Sequence, residues 1–363
     1  MSCYDRKTLA FKVFGGQPLP DRGQFFVRVF LRGIYLHLRL RPLTVLLILT
    51  LVLALTVLLG IRLGAVSLSN GQLWDLITGS PSKTSSILLQ IRLPRVVLGL
   101  LAGMSLAAAG VVWQGILRNP LADPYLIGIS SGGALGAAIA IFFGGLFPWI
   151  SSAVPLFALL GSLGAVALVY FLAASGGKLT IERLILCGVA VSSFFSALLS
   201  LMVVAHSDSL AGLYFWMMGG LSGRTWTDIG LALPYQIVGF FIVLYHLRSL
   251  NILQLGEEAA RGLGVSTKET IAMLSLGATL LAASTVANCG MIGFIGLVIP
   301  HIVRRLVGSD LRIVLPLSAI LGAAVLVAAD LVSRTCWAPS EIPVGIITAL
   351  LGAPFFLYLV YRR

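Results

Sequence analysis

Ten apolar runs limit what this chain can fold into more strongly than any other feature of its sequence. Each run is long enough, or nearly so, to cross a hydrocarbon core of about 30 Å. The runs lie at residues 43–61, 93–117, 126–147, 152–174, 184–205, 229–247, 270–287, 291–307, 313–333 and 343–361. The seventh and eighth are separated only by residues 287–290, and Gly293 and Gly296 could interrupt the eighth.

Charged side chains are correspondingly rare. Only 10% of the 363 residues are charged, and the mean hydropathy is +1.01. We therefore expect a membrane rather than water to surround most of the chain. The sequence predicts an all-α polytopic membrane protein, with about ten transmembrane helices formed by residues 43–363.

The distribution of positive charge predicts the orientation of these helices. An even number of spans places both termini on the same side, and cytoplasmic loops are richer in Lys and Arg than external ones. With the N-terminus in the cytoplasm, 19 of the 25 Lys and Arg residues fall inside and six fall outside. We therefore expect both termini to be cytoplasmic. This bias also explains the net charge of +12 without a nucleic-acid partner.

Residues 1–42 form a basic tail that is expected to lie in the cytoplasm. Arg28, Arg32, Tyr35 and Arg39 fall on one helical face, which suits a helix in the headgroup region. A disordered juxtamembrane tail with scattered positive charge is an equal alternative. A cleavable signal peptide is not expected, because the first apolar run begins only after this tail, is too long and lacks a small-residue cleavage site.

The polar stretch Arg248–Lys268 separates two long apolar runs. Glu257 and Arg261 are spaced to pair at i, i+4 on one helical face. Four apolar residues recur at i, i+3, i+7 and i+11 on another face. They are Ile252, Leu255, Ala259 and Leu263. The pattern predicts a short amphipathic helix that lies across the end of the bundle and offers one face to a soluble partner. An ordinary solvated loop is the alternative.

A second polar segment, Arg118–Pro124, follows the second apolar run on the cytoplasmic side. Asn119 and Asp123 each precede a proline, which disfavours the α conformation of the preceding residue. The second helix must therefore end here. Gly128 and the glycines after it then allow the chain to turn tightly back into the membrane. A plain tight turn is the alternative.

Charged residues on the outer side follow a separate pattern. Arg92 and Arg95 open the second span, and snorkelling to the membrane surface is the simplest explanation for such a pair. Asp330 and Arg334 stand at i, i+4 near the outer end of the ninth span. We expect these two to pair or to lie near the interface, because a charge at mid-membrane costs about 2.5–3.5 kcal/mol. Glu341 follows in an outer loop.

The sequence carries no catalytic or metal-binding pattern. The four Cys and four His residues are dispersed, without C-x-x-C spacing, so neither a zinc site nor a disulfide framework is predicted. There is no G-x-S-x-G motif, no H-E-x-x-H motif and no intact phosphate-binding loop. If ATP drives this protein, another subunit must hydrolyse it.

Five segments, in order between residue 43 and the C-terminus, share their pattern with one family. They are IRLPRVVLGLLAGMSLAAAGVVWQGILRNPLADPYLIGISSGGALG (Ile91–Gly136), FWMMGGLSG (Phe215–Gly223), LGEEAARGLGV (Leu255–Val265), GMIGFIGLVIPHIVRRLVGSD (Gly290–Asp310) and EIPVGIITALLGAPFF (Glu341–Phe356). Together they resemble the iron–siderophore, haem and cobalamin permeases known as the FecCD family. The basic tail is longer than this family needs.

The resemblance implies a ten-helix permease subunit in the bacterial cytoplasmic (inner) membrane, paired with an identical copy or a paralogue. A cytoplasmic ATPase dimer, which binds ATP and Mg²⁺, would dock on the polar stretch. An extracytoplasmic binding protein would deliver the substrate. The resemblance implies no cofactor in this chain itself and no enzymatic activity of its own. The predicted function is the import of an iron chelate (ferric siderophore), with haem or cobalamin as the alternative cargo.

The family's functional residues transfer to three sets of positions. The ATPase-coupling helix corresponds to Leu255, Gly256, Glu257, Ala260, Arg261, Leu263 and Gly264. The binding protein would dock through Arg92, Arg95 and Arg334. The cytoplasmic gate would include Asn119, Thr180, Ile181 and Glu182. The family's substrate path is lined largely by the fifth helix.

Two other classes of function fit the sequence less well. A secondary transporter would need ionisable residues at mid-span, coupled to the substrate. The spans offer Asp330 near one end and almost no other acid. A membrane scaffold or an intramembrane enzyme is disfavoured because no catalytic constellation is present.

Overall fold

Each of the ten apolar runs contains one α-helix in the computed structural model. The structure describes residues 41–64, 86–144, 147, 150, 153–175, 180–205 and 210–361. Within them, the chain forms α1 (Pro42–Arg62), α2 (Leu93–Ile116), α3 (Ile129–Phe143), α4 (Val154–Ser175), α5 (Ile181–Ala205), α6 (Leu210–Met217), α7 (Trp226–Leu253), α8 (Glu257–Gly262), α9 (Thr267–Cys289), α10 (Ile295–Val307), α11 (Leu311–Thr335) and α12 (Val344–Tyr361). All except the short helices α6 and α8 overlap one of the apolar runs, and α7 extends beyond its run at both ends. The basic tail up to residue 40 lies outside the described residues.

Length and hydropathy identify the helices that could cross a membrane. In the described part, seven are long and apolar enough: α1, α4, α5, α7, α9, α11, and α2 together with the π-helical turn Leu88–Arg92 before it. α3 and α12 are shorter apolar helices. α10 has only 13 residues and carries Arg304 and Arg305 in its last turn. The prediction of an all-α polytopic membrane protein is confirmed.

The helices α2 and α9 form the centre of the bundle. In an apolar 18-residue stretch of each, 78% is buried inside the protein, against 17% in α1 and in α5. α2 packs against α7, α9, α10 and α11. It can do so because Ala102, Ala107 and Ala109 and its glycines present little side-chain volume to these neighbours. In lipid, where tails are as apolar as leucine, such close packing is a main source of helix association.

Glycines let two pairs of helices touch backbone to backbone. A Cβ atom at Gly103 in α2 would overlap the backbone carbonyl of Gly322 in α11. A Cβ atom at Gly132 in α3 would overlap the carbonyl of Gly161 in α4. No larger side chain could occupy these positions without separating the helices.

Two of the apolar runs begin with irregular backbone rather than helix. After α2, Arg118 has a φ of +48°, so the helix ends where the Asn-Pro and Asp-Pro pairs predict. The chain then forms a 3₁₀ turn, Pro124–Ile127, and Gly128 with a φ of +90° leads into α3. Before α10, Phe294 has a φ of +68°. The helices α3 and α10 therefore begin a few residues later than the apolar runs that contain them.

Candidate functional site

The short helix α8 lies at the inner end of the bundle, which is the end predicted to face the cytoplasm. The predicted pair on it is confirmed, because Arg261 Nη2 donates to Glu257 Oε2 at 3.1 Å. Within α8, the side chain of Ala260 is fully buried. By contrast, Leu255 and Leu263 on either side of α8 are 69% and 63% exposed. Two large apolar side chains are therefore exposed at the end that is predicted to face water.

Two glycines separate α8 from its neighbours. Gly256 has a φ of +111° and Gly264 a φ of +80°, values that residues with a Cβ rarely adopt. The prediction of one helix with a continuous apolar face is wrong, because α7 ends at Leu253 and Gly256 turns the chain into a separate helix. Of the four predicted apolar residues, only Ala259 lies within α8. The amphipathic unit is therefore the six-residue α8 with its two flanking leucines.

The predicted gate residues occupy two segments at the inner end. Asn119 is exposed, and its Oδ1 accepts a hydrogen bond from the Leu121 N–H at 3.0 Å. Thr180 precedes α5, where its Oγ1 accepts from the Arg183 N–H at 3.3 Å, and the two residues after it open that helix. Residues 176–179 lie outside the described part. Each segment is held by a local hydrogen bond, and the gate assignment stays a prediction.

The loop between α2 and α3, here called the inner loop, packs against α5. A Cβ atom at Gly188 of α5 would lie 2.8 Å from the carbonyl O of Leu126 in this loop, so the two backbones touch. Asp123 Oδ1 accepts from the Tyr125 N–H at 2.8 Å, and the Tyr125 hydroxyl donates to the Ile292 carbonyl at 3.0 Å. Burial raises the pKa of the Asp123 carboxyl to about 6, against the opposing hydrogen bond from Tyr125. The inner loop thus connects α5 to the segment before α10.

Charged residues at the opposite, outer end form a buried ion-pair cluster. Arg95 contacts both acids, with its Nε 2.9 Å from Asp330 Oδ1 and its Nη1 2.9 Å from Glu341 Oε1. Arg334 Nε lies 3.4 Å from Asp330 Oδ2, which confirms the predicted i, i+4 pair. Glu341 keeps 37% of its side chain exposed, against 8% or less for the other three. Partial burial raises the pKa of Glu341, but the hydrogen bond and charge of Arg95 outweigh it and hold that pKa below its ordinary value.

Two arginines of this region also bind the end of α1. Arg92 Nη1 donates to the carbonyls of Ile61 and Arg62 at 2.9 and 3.0 Å. Arg334 Nη2 donates to the carbonyl of Gly60. The last carbonyls of a helix have no partner within it, and cations near that end are stabilised. Snorkelling into water is therefore the wrong explanation for the arginines that open α2. Their role in docking a binding protein stays a prediction.

A cavity of about 390 Å³ opens beside this cluster. Arg95 and Glu341 line this cavity together with Trp216, which lies in α6, and Arg224, which follows that helix. Gly219, with a φ of +68°, sits so tightly against the Met291 carbonyl that a Cβ atom would overlap it. Neither Trp216 nor Arg224 was among the site residues that were predicted from the sequence. The only feature of the sequence that points to them is the FWMMGGLSG segment, which contains Trp216 and is followed directly by Arg224.

Metal-binding groups are sparse in the part of the chain that the structure describes. There, no three His, Cys, Asp or Glu side chains are grouped so that they could hold a metal ion. The described cysteines, Cys187, Cys289 and Cys336, are free thiols. The described sites therefore consist of ion pairs, backbone carbonyls and exposed apolar side chains.

Comparison with known proteins adds sequence relatives to this geometry. The model of the FecCD transport family matches residues 51–362. The cobalamin import system permease protein BtuC of Halobacterium salinarum is 44% identical over 285 residues, covering 78% of this chain and 76% of that protein. The Fe(3+)-citrate import system permease protein YfmE of Bacillus subtilis is 38% identical over 320 residues, covering 88% of this chain and 95% of that protein.

A solved structure shows the same architecture. It is described as an inward-facing conformation of a metal-chelate type ABC transporter, and it superposes with a TM-score of 0.77 at 35% sequence identity. The superposition covers 88% of this chain and 99% of that one. The chain therefore belongs to the FecCD transport family and is a multi-pass permease of the cytoplasmic membrane.

Proposed function

We propose that this chain is the membrane subunit of an ATP-binding-cassette importer that carries an iron chelate, of the ferric siderophore class, into the cell. One similar protein is named for ferric citrate and another for cobalamin. Haem or cobalamin is accordingly the alternative cargo for the same architecture. A secondary transporter would need a carboxylate free to bind its coupling ion, whereas Asp330 already contacts Arg95 and Arg334.

The observation that carries this proposal is the pair of exposed leucines around α8. A soluble ATPase subunit that covered Leu255 and Leu263 would gain about 1.5–3 kcal/mol for each leucine that it fully buries. Glu257 and Arg261, which pair with each other on the same helix, would add charge complementarity that sets the docking register more than the affinity. We therefore assign α8 and its flanking residues as the ATPase-coupling helix.

The attachment of α8 suits the transmission of movement. Ala260 is the buried residue of α8, and its carbonyl accepts a hydrogen bond from the Val265 N–H at 3.0 Å, just before α9 begins. In the proposed mechanism, ATP closes the ATPase dimer, α8 moves with it as a rigid unit, and the helices rock so that the inner and outer gates open in turn. ATP and Mg²⁺ bind to the ATPase subunits, and this chain does no covalent chemistry.

The substrate path would be completed by a second permease subunit, either a copy or a paralogue. α5 leaves most of its surface uncovered within one chain, with Leu186, Phe194 and Leu201 each more than half exposed. We assign the path to this helix and the inner gate to Asn119 together with residues 180–182. The inner loop, which touches α5 at Gly188, would move with the gate.

An extracytoplasmic binding protein would dock at the outer end. Arg95 holds Glu341, which is the partly exposed member of the outer ion-pair cluster. An acidic residue on a binding protein could therefore compete with Glu341 for Arg95, while Arg92 and Arg334 hold the end of α1 in place. Replacing Arg95 by glutamine should weaken docking most at low salt, because ions screen such contacts. Unchanged docking at every salt concentration would remove Arg95 from the interface.

Reconstitution with the ATPase subunits and a binding protein tests the coupling assignment. Burial of one leucine contributes about 1.5–3 kcal/mol, so Leu263→Asp should weaken ATPase docking about 10- to 100-fold. ATP-driven uptake into liposomes should fall with it. Glu269→Gln, which is exposed on the next helix, α9, and lies outside the coupling helix, is the control and should transport normally. Uptake at the wild-type rate by Leu263→Asp would contradict the assignment of α8.

The cargo is tested in the same liposomes by stimulation of ATP hydrolysis. A ferric siderophore presented on its binding protein should stimulate hydrolysis and enter the lumen. Haem and cobalamin, each with its own binding protein, serve as the comparison. Stimulation by cobalamin or haem alone would replace the iron-chelate assignment with the alternative cargo and leave the coupling assignment intact.

A further inference from the structure

Two cavities at the inner end adjoin α8 and are lined by arginines. The larger measures about 420 Å³ and the smaller about 220 Å³. The arginines are Arg248 and Arg312 in the larger cavity and Arg118 and Arg304 in the smaller. Gln254 and Ser309 line both cavities, so the two lie side by side. We call the pair the inner basic groove.

The inner basic groove carries excess positive charge. None of its four arginines is in a salt bridge within the described part of the chain. Asp310 is the one acid that lines it there. Its Oδ1 accepts from Asn251 Nδ2 at 2.7 Å and from the Arg312 N–H at 3.0 Å. One aspartate against four arginines leaves charge for an anionic ligand to neutralise.

An apolar stripe of α7 leads to this groove. Ile237, Phe241 and Leu244 are 59%, 72% and 57% exposed. Their spacing of i, i+4 and i+7 puts them on one face of the helix, and Arg248 continues the same face at i+11. Arg248 is itself exposed. The surface therefore offers hydrocarbon contact over about two turns of helix, and a guanidinium about one turn further on, at the inner end.

We propose that the inner basic groove binds the headgroup phosphate of an anionic phospholipid. Arg248 and Arg312 contact the phosphate, and the acyl chains lie along the apolar stripe of α7. Guanidinium groups match phosphate oxygens with two parallel hydrogen bonds. Basic pockets between transmembrane helices on the cytoplasmic side are suited to anionic headgroups. Leu255 lines the same cavity, so the bound lipid contacts the segment that leads into α8.

The retention of lipid by the purified full-length chain tests this proposal, and it does not depend on the cargo or on the ATPase. The protein is equilibrated in mixed micelles with equal amounts of phosphatidylglycerol and phosphatidylcholine, washed, and its retained lipid is measured by mass spectrometry. The wild-type chain should retain phosphatidylglycerol in preference to phosphatidylcholine. The double variant R248Q/R312Q should reduce this preference about tenfold, or about 1.4 kcal/mol.

Two controls separate lipid binding from general effects. Arg305→Gln removes an exposed arginine of α10 that lines neither cavity, and it should keep the wild-type preference. In the unmutated chain, a high-salt wash should lower the preference because salt screens the phosphate contact. This second measurement needs no variant and so does not depend on correct folding of a mutant.

Three results would overturn the proposal. The double variant could retain phosphatidylglycerol as the wild type does, which would exclude these arginines as ligands. Millimolar inorganic phosphate could displace the lipid, which would make the groove a site for free phosphate. The ATPase subunits could displace the lipid on docking, which would make the groove part of a protein interface.

Discussion

Replacing Asp330 by asparagine should destabilise the outer ion-pair cluster more than the same loss of charge at Glu341. The substitution keeps the shape of the side chain but removes a carboxylate that makes three contacts of 2.9–3.1 Å with Arg95 and lies 3.4 Å from Arg334. Removing one partner of a buried ion pair costs about 3–5 kcal/mol, because the other charge is left uncompensated. Arg95 keeps its contact with Glu341, so we expect a loss of about 3 kcal/mol.

Glu341→Gln is the matched control for this prediction. It removes one contact of 2.9 Å with the same Arg95, but the glutamate side chain is 37% exposed instead of 2% for Asp330. Water can solvate what remains, so we expect a loss of only about 1 kcal/mol. Unfolding in detergent micelles, followed by intrinsic fluorescence, measures both variants. Equal losses for the two variants would show that burial does not set the energy of this cluster and would refute the reasoning.

Two further predictions concern packing and pH. Gly136→Leu should cost about 3 kcal/mol or more, because its Cβ atom would overlap the Phe157 carbonyl. Gly164→Leu, where no atom lies within 4 Å, should change stability by no more than about 0.5 kcal/mol, and equal losses in thermal unfolding would contradict the close α3–α4 contact. The folded-state pKa of Asp123, about 6, lies above its ordinary value of 3.8, so its stabilising contribution is lost as pH rises through 6. Asp123→Asn should therefore gain stability relative to the wild type between pH 5 and 7.5, by about 1–3 kcal/mol, and a difference in melting temperature that is constant with pH would contradict this.

Helix positions were largely predictable because membrane-length apolar runs leave few alternatives. Each run contains one helix, and the turn at Gly128 and the Asp330–Arg334 pair follow the local rules that predicted them. The prediction was less accurate where backbone conformation depends on neighbours. Phe294, with its positive φ, delays the start of α10, and nothing in its local sequence requires this.

The outer arginines show why the candidate sites were harder to predict than the helices. Arg92 and Arg95 were expected at the surface, since two arginines before an apolar run usually reach for water. In the structure, both are buried. Their partners are 30 to 246 positions away in the sequence. Arg92 binds the last carbonyls of α1, and Arg95 binds Asp330 and Glu341. Spacing rules cannot detect such pairs.

The sequence alone determined the membrane environment, the all-α class and the positions of the helices. Hydropathy and the proline and glycine residues that end helices depend only on residues close together in the chain. It also determined the i, i+4 pair of α8, which needs only one turn of helix. Only the tertiary structure decided which charges are buried, which glycines touch another backbone, which leucines of the inner end are exposed, and which of its arginines have no salt bridge to a described residue. These properties depend on residues far apart in the chain, and packing alone brings them together.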